Sequence, residues 1–206
     1  AVLLWDFFTR VMQGVTIAFF EDVWARNFLN LFASPLSIWE YLAGLVINTI
    51  ATSSLGLIVM LVLATSFFGL SFFAYGAMFL PFLLLLLFFG IALGIFCSAV
   101  VLRLGPASEW FVWPIPALIT PFAGVFYPIA TLPGWMRCIS RLLPPSYVFE
   151  GMRTIISHGA VSGSSLLLGG GLTFIYLVLA CLIFRRVYCQ AVRTGLIARY
   201  SAETVG

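Results

Sequence analysis

Apolar residues fill long stretches of this chain, and polar residues are concentrated in the shorter segments between them. An α-helix needs about 20 mostly apolar residues to cross a bilayer. The pattern therefore predicts an all-α integral membrane protein that forms a single domain over residues 1–206. The five predicted transmembrane helices cover residues 1–22, 41–65, 79–102, 109–128 and 164–185.

The composition agrees with a lipid environment and excludes several classes of function. Hydrophobic residues make up 63% of the 206 residues and charged residues 8%, whereas a soluble domain carries about a quarter charged residues. The chain has no Lys, so it cannot form the usual phosphate-binding loop of an ATPase. With one His (His158) and four dispersed Cys, we expect no metal site and no catalytic residue. The net charge of +3 is too small and spread out to suggest nucleic-acid binding.

Arginine positions predict the orientation in the membrane. The connections 23–40 and 103–108 and the segment from 185 onward carry six Arg, against three in the connections 66–78 and 129–163. Because basic residues favour the cytoplasmic side, we expect the C-terminal tail, 187–206, to be cytoplasmic. The chain starts abruptly within an apolar stretch, and we expect that an N-terminal part precedes it.

The connection between the first two spans has the pattern of a short amphipathic helix over residues 24–36. Pro35 ends it, and Ser37 and Glu40 then form a capping box that starts the next span. Such a helix is either an anchor in the membrane interface or a docking helix for a cytosolic partner. Phe28, Leu31 and Phe32 fall on one face of this helix, and Arg26, Asn27 and Asn30 fall largely elsewhere. The docking residues would be Arg26, Asn27, Phe28, Leu31, Phe32 and Pro35.

The connection 129–163 is too apolar for an ordinary solvent loop. Pro133 suits the first position of a helix, the pair Pro144-Pro145 ends that helix, and Ser146 can cap the next one. Each piece is about half as long as a bilayer is thick. We therefore predict a re-entrant helical hairpin over residues 129–158 that packs against the bundle and caps its outer mouth.

The charged residues of this hairpin form two pairs, each with its own interpretation. Glu150 and Arg153 stand at positions i and i+3, where they would stabilise a helix by a few tenths of a kcal/mol. Arg137 and Arg141 share one helix face, which is typical of contact with lipid headgroups.

The first span has a polar face, which is unusual for a helix in lipid. Asp6 and Arg10 stand at positions i and i+4, where they can form an ion pair, and such a face should turn away from lipid. The face either contains a buried pair that fixes helix packing, or it belongs to a transport path or an interface between protomers. The residues on this face are Asp6, Thr9, Arg10, Gln13 and Thr16.

Two segments resemble the permease subunits of type-2 ABC exporters. The stretch 123–153 contains the family's series of motifs G-x-x-x-P, L-P-x-W, P-x-x-Y and E-x-x-R, and the stretch 21–41 is similar to the family's cytoplasmic connection between its second and third spans. In this sequence the motifs are Gly124 and Pro128, Leu132 to Trp135, Pro144 and Tyr147, and Glu150 and Arg153.

The resemblance implies six spans per subunit after an interfacial helix, so that this chain would lack that helix and the first span. It also implies a dimer of permeases, expected to be a homodimer in the bacterial inner membrane, with two ATPase subunits that hold ATP and Mg. Residues 24–36 would be the coupling helix that docks into the ATPase. The outer re-entrant gate would contain Pro128, Pro133, Trp135, Pro144, Tyr147, Glu150 and Arg153.

The sequence thus predicts a permease that exports an amphipathic, drug-like or lipid-linked molecule, as multidrug exporters do, without an ATPase activity or cofactor of its own. An exporter of polysaccharides or lipid-linked glycans is the alternative within this architecture. A membrane channel or scaffold that works without ATP is the alternative from another class. A membrane-embedded lipid enzyme would need a cluster of acidic residues or His at one membrane edge, which the sequence does not have.

Overall fold

The computed structural model describes residues 1–24, 37–69, 79–105, 108–158 and 163–194, and the regular structure in these ranges is helical. This confirms the all-α class. The helices are α1 (Val2–Trp24), α2 (Ile38–Phe68), α3 (Phe79–Leu104), α4 (Glu109–Val112), α5 (Ile115–Ala123), α6 (Gly134–Ser140), α7 (Pro144–His158) and α8 (Gly163–Thr194), with a 3-10 turn at Ile129–Thr131.

Four of the helices in the described ranges are long and apolar enough to cross a membrane, namely α1, α2, α3 and α8. They correspond to four of the five predicted spans and confirm an integral membrane protein. Helix α8 is longer than the predicted span, because it continues to Thr194.

The remaining predicted span, 109–128, differs from the prediction. The structure divides it into α4 and α5, which Trp113 and Pro114 separate, and α5 ends at Gly124 in the left-handed conformation. The apolar helical segment Trp110–Ala123 has 14 residues, which corresponds to about 21 Å and is shorter than the hydrocarbon core. Pro114 and Pro116 have no main-chain N–H to donate, which explains why a continuous helix does not form here.

Helix α3 is the centre of the bundle and packs most extensively against α8 and α1. Gly90 and Gly94 of α3 lie against Val11 and Val15 of α1, so the residue numbers of both helices rise together. Likewise, Leu85 of α3 lies against Gly169 of α8, and Phe89 contacts Tyr176 edge to face. The three helices therefore run in the same direction, and α2 packs mainly on α1.

Two glycines allow α1 and α3 to approach each other closely. A Cβ atom added to Gly94 would lie 2.7 Å from Cβ of Val15 and 2.8 Å from the carbonyl oxygen of Met12. One added to Gly90 would lie 2.9 Å from Val11. The G-x-x-x-G spacing places both glycines on the face of α3 that meets α1, as is common between membrane helices.

The described part of the bundle has two ends. At one end, the hydroxyl of Tyr41 donates to the carboxylate of Asp22, at 2.8 Å, so the end of α1 lies beside the start of α2. The C-terminal ends of α3 and α8 are at this end too, because these helices run parallel to α1. At the opposite end α7 packs across the bundle, since Phe149 contacts Trp5 and Gly151 lies against Phe82. Which of these ends faces the cytoplasm stays a prediction.

Candidate functional site

The hairpin of α6 and α7 is built by prolines at both of its helix starts. Pro133 is extended and immediately precedes α6. Pro144 occupies the first position of α7, where a main-chain N–H would make no hydrogen bond within the helix, so the lack of an N–H in proline costs nothing there. Ser146 was expected to cap α7, and this expectation is wrong. Because α7 already begins at Pro144, Ser146 lies inside the helix, and its hydroxyl donates to the carbonyls of Ser140 and Leu143 at 2.6 and 2.8 Å.

Glu150 and Arg153 connect three segments of the chain at this end of the bundle. Oε1 of Glu150 accepts from the main-chain N–H of Ile129 at 2.7 Å and from Nη1 of Arg153 at 3.0 Å. Nη2 of Arg153 donates to the carbonyls of Gly124 and Val125. These two side chains therefore fasten the end of α5 and the following turn to α7, and we call the pair with its main-chain partners the latch.

Gly124 is the main-chain position that the latch requires. Its φ of +71° is in the left-handed region, which ends α5 and turns the chain toward Val125. A Cβ atom at this position would lie 3.0 Å from Cγ1 of Ile129 and 3.6 Å from Nη1 of Arg153. A larger residue would therefore meet both a strained main chain and the side chains packed around the latch.

The other predicted gate residues surround the latch. Pro128 precedes the 3-10 turn, and its carbonyl accepts from Thr131. The hydroxyl of Tyr147 donates to the carbonyl of Arg141 at 2.8 Å and so holds the turn between α6 and α7. Trp135 is 64% exposed and contacts Phe122 of α5 edge to face.

Arg137 has a role that its sequence pattern did not indicate. Its Nη2 donates to the carbonyls of Ala130 and Leu132, at 2.9 and 3.1 Å, so this guanidinium organises the turn before α6. Headgroup contact was the expectation for both Arg137 and Arg141. The bonds of Arg137 cross five and seven residues through an irregular turn, and the sequence offers no periodic signal for such contacts.

The polar face of α1 contains a formed ion pair. Nε of Arg10 donates to Oδ2 of Asp6 at 2.6 Å, and the two side chains are 52% and 40% exposed in this single chain. The hydroxyl of Thr9 donates to the carbonyl of Trp5, and Gln13 is half-buried. An ion pair thus faces outward from a helix that is long and apolar enough to span a membrane.

Thr16 differs from the other four residues of the predicted face. Its side chain is buried, and its hydroxyl donates to the carbonyl of Met12 at 3.0 Å and lies 3.5 Å from the carbonyl of Gly94 on α3. Thr16 therefore packs inside the bundle. The sequence pattern placed it on the polar face with the other four residues, but the close approach of α1 and α3 at Gly94 brings Thr16 against α3.

The predicted coupling helix, 24–36, falls almost entirely outside the described residues, and with it the docking residues Arg26, Asn27, Phe28, Leu31, Phe32 and Pro35. Its two flanks are described. Asp22 and Tyr41 join them, and the capping box is confirmed, with Oγ of Ser37 accepting from the N–H of Glu40 and the Glu40 carboxylate accepting from the N–H of Ser37. Among the described residues, no three His, Cys, Asp or Glu side chains are grouped as a metal site would require.

A family model with the description "ABC-2 type transporter" matches residues 5–157, which is more than half of the chain and includes α1 from Trp5 onward, the segment 25–36 and the whole latch. No curated protein and no solved structure matched the chain.

Proposed function

Since the chain belongs to the ABC-2 type transporter family as a membrane permease component, we propose that it exports an amphipathic, drug-like or lipid-linked molecule. The energy would come from ATP hydrolysis on a separate ATPase subunit, which would hold ATP and Mg. The chain itself would provide the path through the membrane and the surfaces that move. We place it in the bacterial inner membrane with its C-terminus in the cytoplasm.

The family match is the observation that carries this proposal. It covers the helix with the exposed ion pair, the segment proposed to dock the ATPase and the hairpin with the latch in one continuous range. A channel or scaffold that works without ATP has no need for a docking segment. The family to which the chain belongs associates with ABC ATPases, which favours the exporter.

The exposed ion pair on α1 supports a second permease subunit. A charge at the centre of a bilayer costs a few kcal/mol, so Asp6 and Arg10 need protein or water beside them. The remaining helices of the chain leave this pair half-exposed. We propose that a second copy of the chain covers it, and that Asp6, Thr9, Arg10 and Gln13 line the protomer interface or the path along it.

The latch supports a role of the hairpin as the outer gate. Arg153 on α7 holds the carbonyls at the end of α5. In the proposed cycle, ATP-driven closure of the ATPases moves the docking segment and the helices attached to it. Helix α5 would transmit this movement through the latch to the hairpin, which opens the exit toward the outside.

Purification of the tagged protein from its native membrane tests the proposal. We expect an ABC ATPase to co-purify, and the complex in liposomes to move substrate only with ATP and Mg. Substrate movement by the permease alone, at the same rate with and without ATP, would identify a channel. Transport of lipid-linked glycans with no transport of drug-like amphiphiles would favour the glycan exporter instead.

A further inference from the structure

The hairpin borders an open cleft of about 320 Å³ beside the latch, with which it shares Ile129 and Glu150. Arg137 and Arg141 line it from α6 and the turn after it, Tyr147 and Glu150 from α7, and Ser165 from the first turn of α8. The proposed export cycle assigns no role to the two arginines or to Ser165. The mixture of guanidinium and hydroxyl groups around one opening raises the question of which ligand they would bind.

The charges around the cleft favour an anion. Arg141 is exposed, and the Nε–H of Arg137 is buried and has no acceptor among the described residues. A buried N–H of a charged group that lacks an acceptor raises the free energy of the folded state. The carboxylate of Glu150 already accepts from Arg153 and from the N–H of Ile129. Since Glu150 is already paired with Arg153, the guanidinium groups of Arg137 and Arg141 remain as two positive charges at the opening.

The start of α8 adds to this preference. Ser165 belongs to the first turn of a 32-residue helix, where free main-chain N–H groups and the helix dipole favour a negative charge. Ser165 also brings a hydroxyl group to the lining of the cleft. The hydroxyl of Tyr147 holds the carbonyl of Arg141, so the main chain that carries the second guanidinium has a fixed position.

The same segment also presents exposed apolar side chains. Trp135 and Ile139 of α6 and Leu142 of the following turn are 64%, 39% and 60% exposed. At helical spacing, Trp135 and Ile139 stand on the opposite side of α6 from Arg137. Such a division suits a membrane surface, where apolar side chains lie among acyl chains and guanidinium groups reach the headgroups.

We propose that the cleft binds the phosphate group of a membrane phospholipid, with the guanidinium groups of Arg137 and Arg141 as its main partners. Guanidinium groups match phosphate oxygens in charge and geometry. The apolar side chains of the same segment would lie among the acyl chains of that lipid. The hairpin would thus be fastened to one membrane leaflet at its tip while the latch fastens it to α5. This inference does not depend on what the protein exports.

Native mass spectrometry of the detergent-purified protein tests the proposal by titration with dioleoylphosphatidylglycerol. Dioleoylglycerol, which has the same chains without a phosphate, is the control ligand. Arg141→Gln is the main variant, because Arg141 is exposed and the substitution should leave folding intact. Arg103→Gln, at an exposed position at the other end of the bundle, is the control variant.

We expect the phospholipid to bind about tenfold more weakly to Arg141→Gln than to the wild type, with Arg103→Gln unchanged and dioleoylglycerol not retained. Equal binding by Arg141→Gln and the wild type, or equal retention of both lipids, would overturn the proposal. A second titration uses inorganic phosphate alone. Displacement of the phospholipid by millimolar phosphate would identify a site for soluble phosphate and would also overturn the assignment to lipid.

Discussion

Arg153 on α7 donates a hydrogen bond to the main-chain carbonyl of Gly124, 29 residues earlier in the chain, at the point where α5 ends. The same guanidinium is fixed by Glu150, one turn away on its own helix. Since one side chain holds the end of α5 and the other holds Ile129, α5 cannot move away from the hairpin without breaking these bonds.

Replacement of Gly124 by Ala should weaken the latch. An alanine at φ +71° costs about 1–2 kcal/mol, and its Cβ would also press on Ile129 at 3.0 Å. We expect the melting temperature of the purified protein to fall by several degrees and export to decrease. The matched control is Gly134→Ala. Gly134 is in the first turn of α6 with nothing within 4 Å of a Cβ atom, so this variant should be as stable as the wild type. Equal melting temperatures of the two variants would contradict the role given to Gly124.

The close approach of α1 and α3 gives a second prediction. Gly94→Ala places a methyl group within 2.8 Å of a main-chain carbonyl, which cannot move as a side chain would. We expect a loss of about 1–3 kcal/mol, typical of an overpacked core. Gly56→Ala on α2, where nothing lies within 4 Å, should be neutral or slightly stabilising because Ala favours helix over Gly. Thermal unfolding in detergent compares the two, and a stable Gly94→Ala would show that these helices pack differently.

The ion pair on α1 can be tested with a double-mutant cycle of Asp6→Asn and Arg10→Gln. If a second protomer covers the pair, each single variant leaves one charge without its partner, which can cost about 3–5 kcal/mol where the pair is fully buried. The double variant should then be less destabilised than the sum of the two single variants by more than 1 kcal/mol or so. Unfolding of the detergent-purified protein measures the three variants. Additive effects, within about 0.5 kcal/mol, would mean that the pair is solvated and covered by nothing.

Two cysteines test the orientation of the chain in the membrane. Cys138 on α6 and Cys189 near the end of α8 are both exposed in the structure, whereas Cys97 is buried. In variants that retain only one of these cysteines, an impermeant maleimide should label Cys138 in intact cells. Cys189 should react only after the membrane is made permeable. Labelling of Cys189 alone in intact cells would reverse the predicted orientation.

The sequence predicted those features that depend on neighbouring residues. The capping box of Ser37 and Glu40 needs only four residues, and the structure contains both of its hydrogen bonds. The pair of Asp6 and Arg10 is likewise one helical turn apart and forms as expected. The long apolar runs gave the bounds of α2 and α3 to within a few residues, because a helix in lipid is the simplest way to satisfy the main chain.

Contacts between distant segments were not predictable in the same way. The sequence indicated that Glu150 and Arg153 could pair, but their bonds to Ile129 and Gly124 depend on how α5 ends, and hence on one left-handed residue. The cap expected at Ser146 failed because a helix can start at either of two adjacent prolines or after them. The role of the glycine pair of α3 was not predicted from the sequence, because it depends on the close approach of α1, which follows only from the packing.

The central claim is that a partner ATPase docks on residues 24–36 and drives transport through this chain. Phe28→Asp and Phe32→Asp place a charge on the predicted apolar face, and Asn30→Asp places the same charge on the polar side as a control. The measurement is the amount of ATPase that co-purifies with each variant, together with ATP-dependent export in liposomes. We predict that both are lost in the two Phe variants and kept in Asn30→Asp, while all variants still insert and dimerise. Full ATPase binding and full transport by Phe32→Asp would contradict the account.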